Sequence, residues 1–248
     1  MKVLKTLLDI IYPEKPVCLA CGRRYDSSEI PGICSRCLSR ITFITEPCPL
    51  CGRQVIPSSL FAGDLCPECQ RKRPDFDAAR SSFSYIGYGR ELLLKFKYGH
   101  RPDLASPMVE ILFLYFKEYF YKYKIDYIMA IPMHQEREEI RGYNQAALLA
   151  QLLAEKVGIE YRDILLRTKN SIPLFSLTRE ARELELKDVF SLKDNIDFKE
   201  FSGKNILIID DILTTGTTGS KTAALIKNRL DSDKIFVLTA ASVPVEIY

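Results

Sequence analysis

The stretch Ile206-Leu207-Ile208-Ile209-Asp210-Asp211-Ile212-Leu213-Thr214-Thr215-Gly216-Thr217-Thr218-Gly219-Ser220 decides the reading of the chain. Its first four residues are apolar and β-favouring without polar alternation, the pattern of a strand buried on both faces of a parallel sheet. Two carboxylates stand at the carboxyl end of that strand. A run of small residues follows and opens into a helical pattern through Ala223, Ala224, Ile226, Lys227 and Leu230. Such a loop offers several backbone N–H groups to an anion, and the helix dipole adds to the attraction. Thr hydroxyls supply further donors, and Gly lets the backbone approach closely. The acids repel a phosphate, so they must face a neutral or cationic part of the same ligand. A ribose 5′-phosphate satisfies both demands, with its phosphate on Thr214 to Thr218 and its 2′- and 3′-hydroxyls at Asp210 and Asp211. Gly219-Ser220-Lys221-Thr222 looks like the end of a P-loop, but Gly216 stands too close to Lys221 for that spacing. A plain helix cap needs one acid and no Thr-rich loop.

The surrounding chain has 248 residues, room for one large domain or two modest ones, and its 47% hydrophobic content supports a sizeable core. A formal net charge of +3 is too small to argue a nucleic-acid partner by itself. Near the start, Val3, Leu4, Leu7, Leu8 and Ile11 have helical spacing. Asp9 interrupts the run and no small-residue cleavage site follows, so the stretch reads as an amphipathic helix packed on its own domain. It is too short to span a membrane. The expectation is a cytoplasmic protein.

All eight cysteines lie between Cys18 and Cys69, as four Cys-x-x-Cys pairs: Cys18/Cys21, Cys34/Cys37, Cys48/Cys51 and Cys66/Cys69. Two such pairs place four thiolates round one tetrahedral Zn²⁺. Taken in sequence they predict two structural zinc sites, Cys18, Cys21, Cys34, Cys37 and then Cys48, Cys51, Cys66, Cys69; spacing leaves an interleaved arrangement open. Gly22 and Gly52 follow the first pair of each half, where a tight knuckle favours Gly. Without a secretory signal, disulfides are disfavoured. No βαβ pattern surrounds the pairs, which argues against redox chemistry, while iron–sulfur ligation uses the same ligands. Metal here replaces a core that a small segment cannot build. Residues 1–76 carry a formal surplus of three positive charges, which two zinc tetrathiolates offset. Any nucleic-acid contact would rest on local clusters such as Arg71-Lys72-Arg73, which read equally well as solvated surface.

Pro74-Asp75-Phe76-Asp77 marks the expected boundary between a ribbon domain (1–76) and an α/β domain (77–248). Ser82 to Gly89 alternates like a strand, and Glu91 to Lys97 reads as a short helix. Pro107 to Lys124 carries an apolar helical stripe of Val109, Leu112, Phe113, Phe116 and Phe120. Asp126 to Ile131 is a strand stopped by Pro132, and Tyr143 to Val157 a helix closed by Gly158. Ile164 to Leu166 and Lys234 to Thr239 are further strands. Residues 168–202 are polar and irregular, which suits a functional loop. Strands alternating with helices argue a parallel sheet. The Asp210 loop then sits at a strand's carboxyl end, where open α/β sheets bind ligands.

The Asp210 stretch closely resembles the motif by which type I phosphoribosyltransferases bind phosphoribosyl pyrophosphate (PRPP). Ahead of it, in order, stand the four cysteine pairs, Lys97-Tyr98-Gly99, Ile131-Pro132-Met133-His134 and Arg141-Gly142-Tyr143-Asn144-Gln145. Across essentially the whole chain this resembles the ComF family of competence-associated, phosphoribosyltransferase-like proteins, which includes the GntX type. Two positions depart from the family pattern: Leu174, ahead of Leu177-Thr178 and Arg182, and Glu185.

The resemblance implies a type I phosphoribosyltransferase-like sheet behind a small zinc-ribbon domain with four-cysteine sites. It implies PRPP as ligand, with Mg²⁺, and it places Pro132, Met133 and His134 near the pyrophosphate. Arg141 would neutralise a polyanion, while Arg137 reads as surface. Asn144 and Gln145 either cap a helix or hold the pyrophosphate loop. Three functions follow. One is handling of incoming single-stranded DNA in natural transformation, with a competence helicase or other DNA-processing proteins as partners. A second is pentosyl transfer in nucleotide salvage, with Asp210 and Asp211 as the catalytic acids. The third is PRPP sensing without catalysis. No base-binding hood is legible, and residues 78–105, 168–202 or the ribbon would have to supply it.

Overall fold

A computed structural model describes residues 15–56, 64–169 and 189–246. The helix expected over residues 1–11, and Leu174, Leu177, Thr178, Arg182 and Glu185, lie outside the described residues. The ribbon region carries α1 (Ser35–Leu38), β1 (Val55–Ile56) and α2 (Pro67–Arg71). The first half of the sheet region carries β2 (Ala78–Ser84), α3 (Gly87–Tyr98), α4 (Ala105–Tyr115), β3 (Tyr127–Ala130), α5 (Gln135–Arg141) and α6 (Gln145–Val157). Then come β4 (Glu160–Tyr161), β5 (Leu165–Arg167), β6 (Phe190–Leu192), β7 (Ile206–Leu213), α7 (Thr217–Leu230), β8 (Ile235–Ser242) and β9 (Val245–Glu246).

Five strands form one parallel sheet in the order β2-β8-β7-β3-β4. The architecture expected from sequence, a parallel α/β sheet behind a four-cysteine ribbon, is the one found. Ile206, Leu207, Ile208 and Ile209 are fully buried at its centre, so β7 is set by the apolar run that predicted it. The strand does not stop at the acids. Strand β8 runs beside it as far as the Leu213–Ser242 pair, and the ladder carries the chain past Asp211. Helices α4 and α6 pack on one another and, with α7, against the sheet strands.

Several expected boundaries move for physical reasons. Strand β2 does not alternate, because Ser81, Ser82, Phe83 and Ser84 are all buried. Helix α3 starts at Gly87 rather than Glu91. Helix α4 ends at Tyr115, and a wide turn over Phe116–Phe120 and a tight one over Tyr121–Tyr123 continue it toward Lys124. The strand expected at Ile164–Leu166 pairs with β6 in a separate two-stranded antiparallel sheet, outside the main sheet.

The ribbon is fastened to the sheet through main-chain hydrogen bonds. Ala79 N–H donates to Leu50 C=O at 2.7 Å, Ser84 N–H to Thr42 C=O at 2.9 Å, and Ile44 N–H to Ser82 C=O at 3.2 Å. Strand β1 pairs in parallel with β9. Buried side chains of the ribbon and of the sheet belong to one continuous core.

Candidate functional site

The eight thiols gather in two groups, Cys18/Cys21/Cys34/Cys37 and Cys48/Cys51/Cys66/Cys69, each with its sulfurs within 4.8 Å of one another. None of the eight is joined in a disulfide. The Cys21–Cys34 and Cys51–Cys66 sulfurs stand 3.9 and 3.8 Å apart. A tetrahedron with Zn–S bonds of about 2.3 Å has edges of about 3.8 Å, so the donor sets fit zinc in size as well as in chemistry. Backbone amides support the ligands: Cys34 N–H reaches Cys18 Sγ at 3.3 Å, and Cys66 N–H reaches Cys48 Sγ at 3.4 Å. Burial opposes ionisation of Cys18, but amides of Cys34, Cys21 and Ala20 outweigh it and bring the thiol down to about 7. The first group opens to solvent at Cys21, whereas the second is buried throughout.

At the end of β7 the two acids have different surroundings. Successive side chains of a strand point to opposite faces, and here only Asp211 makes a direct ion pair with Lys97, whose charge also acts on Asp210. Lys97 Nζ on α3 lies 2.8 Å from Asp211 Oδ1, with both side chains nearly buried. Burial alone would lower the Lys97 ammonium, but the Asp211 charge overrides it and holds the group above its ordinary value. Asp210 remains partly open and accepts the Asp211 N–H at 2.8 Å. Burial in the cleft and then the Asp211 charge push its carboxyl up to about 7, against the pull of Lys97 and Arg167. Lys97 is a weak candidate in sequence, and Arg167 carries no signal there at all.

The loop after β7 turns at Gly216, whose φ of +76° is a backbone shape that L side chains rarely adopt. Helix α7 begins immediately, at Thr217, two residues ahead of Gly219. The first amides of a helix have no acceptor within it, so those of Thr217, Thr218 and Gly219 are available to an anion. Thr215 and Thr217 hydroxyls share a hydrogen bond at 2.8 Å. Phe76, at the ribbon–sheet boundary, closes on Gly216 and Gly219 from behind.

The second loop, Ile131 to His134, leaves β3 beside β7, and Ile131 N–H donates to Ile209 C=O at 2.9 Å. Asn144 caps α6 and also bonds the Ile131–His134 loop. Its Oδ1 accepts from Ala146 and Ala147 N–H at the start of α6, and its Nδ2 donates to Ile131 C=O at 3.1 Å. His134 caps α5, accepting from Glu136 N–H at 3.4 Å. Arg141 donates to Gln145 Oε1 at 3.2 Å and Tyr98 Oη at 2.9 Å, and lies over the Tyr98 ring. Pro132, Met133 and His134 line a cavity of about 650 Å³ with Tyr161 and Arg167. Sequence misses α5, because its charged residues Glu136, Arg137, Glu138 and Glu139 offer no apolar stripe.

A profile of the double zinc ribbon domain matches residues 7–70. Competence protein ComFC of Bacillus subtilis is 31% identical over 193 residues, covering 75% of this chain and 74% of that protein. This chain belongs to the ComF family. Other similar proteins are Competence protein F of Haemophilus influenzae, 26% identical over 79% of this chain and 84% of that one, and DNA utilization protein YhgH of Escherichia coli, 29% identical with the same shares. Among solved structures, an adenine phosphoribosyltransferase overlaps 58% of this ComF-family chain and 80% of its own, at 21% identity and a TM-score of 0.36. The glutamine PRPP amidotransferase of B. subtilis overlaps 59% of this chain and 30% of its own, at 18% identity and a TM-score of 0.40. No helix among the described residues is long and apolar enough to cross a membrane.

Proposed function

We propose that the chain is a cytoplasmic PRPP-binding protein that handles incoming single-stranded DNA during natural transformation. The observation that carries the ligand is the placement of Asp210 one turn of chain ahead of the open amides of α7. A 5-phosphoribosyl group has its phosphate and its ring hydroxyls arranged to meet such a pair. Thr214 to Thr218 receive the 5′-phosphate. Asp210 receives the ring hydroxyls, or Mg²⁺ carried on them, because Lys97 already occupies one oxygen of Asp211. Pro132, Met133 and His134 border the pyrophosphate, and Arg141, held on Tyr98, offsets its charge. The two four-cysteine groups hold structural zinc. The DNA role rests on the names of the competence relatives and on the family.

Calorimetric titration with PRPP and Mg²⁺ tests the ligand. Binding should be weakened by Asp210→Asn and abolished by Gly216→Val, whose branched side chain cannot take the turn's backbone shape. Equal affinity in all three proteins places the ligand elsewhere. Filter binding of a single strand at low and high salt, with and without PRPP, tests the nucleic acid: binding should fall steeply with salt.

A second reading, pentosyl transfer to a nitrogen base, is favoured by the cavity bordered by Met133 and Arg167, which adjoins the pyrophosphate loop and has room for an acceptor. In that case pyrophosphate leaves C1′ of the ribose as the base nitrogen bonds to it, the nitrogen's proton passes to the departing pyrophosphate or to water, and the Asp210 and Asp211 charges stabilise the cationic sugar. Release of pyrophosphate on addition of a purine or pyrimidine base separates the two readings.

A further inference from the structure

Arg53 follows the Cys48–Cys51 knuckle and is only 3% exposed. Its Nη2 donates to Glu68 Oε2 at 2.8 Å, its Nη1 to Glu68 Oε1 at 3.4 Å and to Thr214 C=O at 2.8 Å. Glu68 sits between Cys66 and Cys69, in the other knuckle of the same four-cysteine group. One guanidinium therefore joins both knuckles of the second metal site to the residue that opens the phosphate loop.

A buried guanidinium is costly unless its donors are filled. Its Nε finds no hydrogen-bond partner among the described residues, so its hydrogen bonds to Glu68 and Thr214 all come from the two Nη atoms, with Cys51 close by. Moving Thr214 would orphan another donor. The loop is otherwise loosely backed on this side: a cavity of about 230 Å³ separates Cys51 and Cys69 from Thr215, Thr217 and Lys221. A further tether at the start of α7 is the Ser220 hydroxyl, which bonds Asp75 of the boundary segment.

We propose that Arg53 is a positioning residue that makes metal in the second four-cysteine site and a 5-phosphoribosyl ligand in the Thr214–Thr218 loop bind cooperatively. The ligand half rests on the function proposed above; the tether itself does not. Metal fixes the two knuckles, the knuckles fix the guanidinium, and the guanidinium fixes the Thr214 carbonyl just ahead of the amides that receive phosphate. Coupling of this kind is reciprocal, so the ligand must also retain the metal.

The test uses full-length, zinc-loaded protein and the variants Arg53→Met, Arg53→Lys and Glu68→Gln. In Arg53→Met, hydrogen exchange at amides 214–220 should accelerate at least about tenfold while β8 keeps its protection. Affinity for PRPP with Mg²⁺, and for ribose 5-phosphate, should fall about tenfold, within the usual range for coupled sites. In the parent, saturating PRPP should slow zinc loss to a chelator, and in Arg53→Met it should not. Arg53→Lys, with one ammonium for two acceptors, should fall between. Unchanged exchange at 214–220 in Arg53→Met overturns the proposal, as does equal slowing of zinc loss in parent and variant. If the parent binds neither sugar phosphate, the functional reading fails and exchange still decides the tether. If Arg53→Met does not fold, Arg53→Lys and Glu68→Gln decide by the same readouts, and parental behaviour in both overturns it.

Discussion

Lys97 and Asp211 form an ion pair of 2.8 Å in which the side chains are 13% and 10% exposed. The pair ties α3 to the carboxyl end of β7 and withdraws one acid of the motif from the open cleft. Removing one member of a buried pair strands the other charge. Lys97→Met should therefore cost about 3–5 kcal/mol. The double variant Lys97→Met with Asp211→Asn should lose less than Lys97→Met alone, because no charge is left unpaired. Urea unfolding of the two single variants and the double completes the cycle; additive losses would show that the pair contributes nothing.

Gly22 and Gly52 occupy matching places after the first cysteine pair of each half, with φ of +73° and +70°. Their surroundings differ. A Cβ at Gly22 would meet nothing within 4 Å, whereas one at Gly52 would fall 2.3 Å from the Ala79 carbonyl oxygen. Gly22→Ala should cost only the backbone strain, about 1–2 kcal/mol. Gly52→Ala should cost more than about 4 kcal/mol, because knuckle and β2 must separate. Equal losses by denaturant titration would mean that the ribbon does not press on β2.

The raised Asp210 carboxyl makes stability depend on pH. In the folded protein it titrates near 7, against about 4 in an unfolded chain. Between those values the folded state holds a proton that the unfolded state releases. The contribution is full below about pH 4, is lost as pH rises toward 7, and is flat beyond. Asp210→Asn cannot ionise, so at pH 8 it should be more stable than the parent by roughly 1–3 kcal/mol. The gain should vanish near pH 4. Unfolding curves of both proteins across that range check the sign, and a gain that grows toward acid contradicts it.

Metal removal should weaken the sheet as well as the ribbon, because both share one core. Elemental analysis should find two zinc ions per chain. Chelation under reducing conditions should lower the melting temperature of the whole protein in one transition. Cys51→Ser should be worse than Cys21→Ser, since Cys51 is buried beside Arg53 and Cys21 is exposed. Two separate transitions, with the sheet's unchanged, would show that the halves fold independently.

Legibility in the sequence followed how local each determinant is. The β7 run, the Thr-Gly loop and the cysteine pairs are contiguous, so their residue types alone announce a buried strand, an anion loop and metal knuckles. Lys97 could not be weighed from sequence, because its partner lies more than a hundred residues away and only the sheet brings α3 over β7. Arg53 was hidden for the same reason, its acceptor being a backbone carbonyl in another part of the chain. Asn144 showed its chemistry but not its choice: a capping side chain has a spare amide, and only the β3 loop's position shows where that amide goes. Helix α5 was missed because a short, exposed, charged helix has no apolar periodicity to read.

The docking of the ribbon on β2 also decides what the sheet can meet outside the molecule. An edge strand normally displays a row of open N–H and C=O groups on which another chain can polymerise. Along β2 that row is occupied by Thr42, Ile44 and Leu50. At the opposite end the sheet finishes in β4, only two residues long. The ribbon thus acts as an intramolecular stopper against edge-to-edge aggregation, and loss of its metal would uncover an adhesive strand as well as loosen a fold.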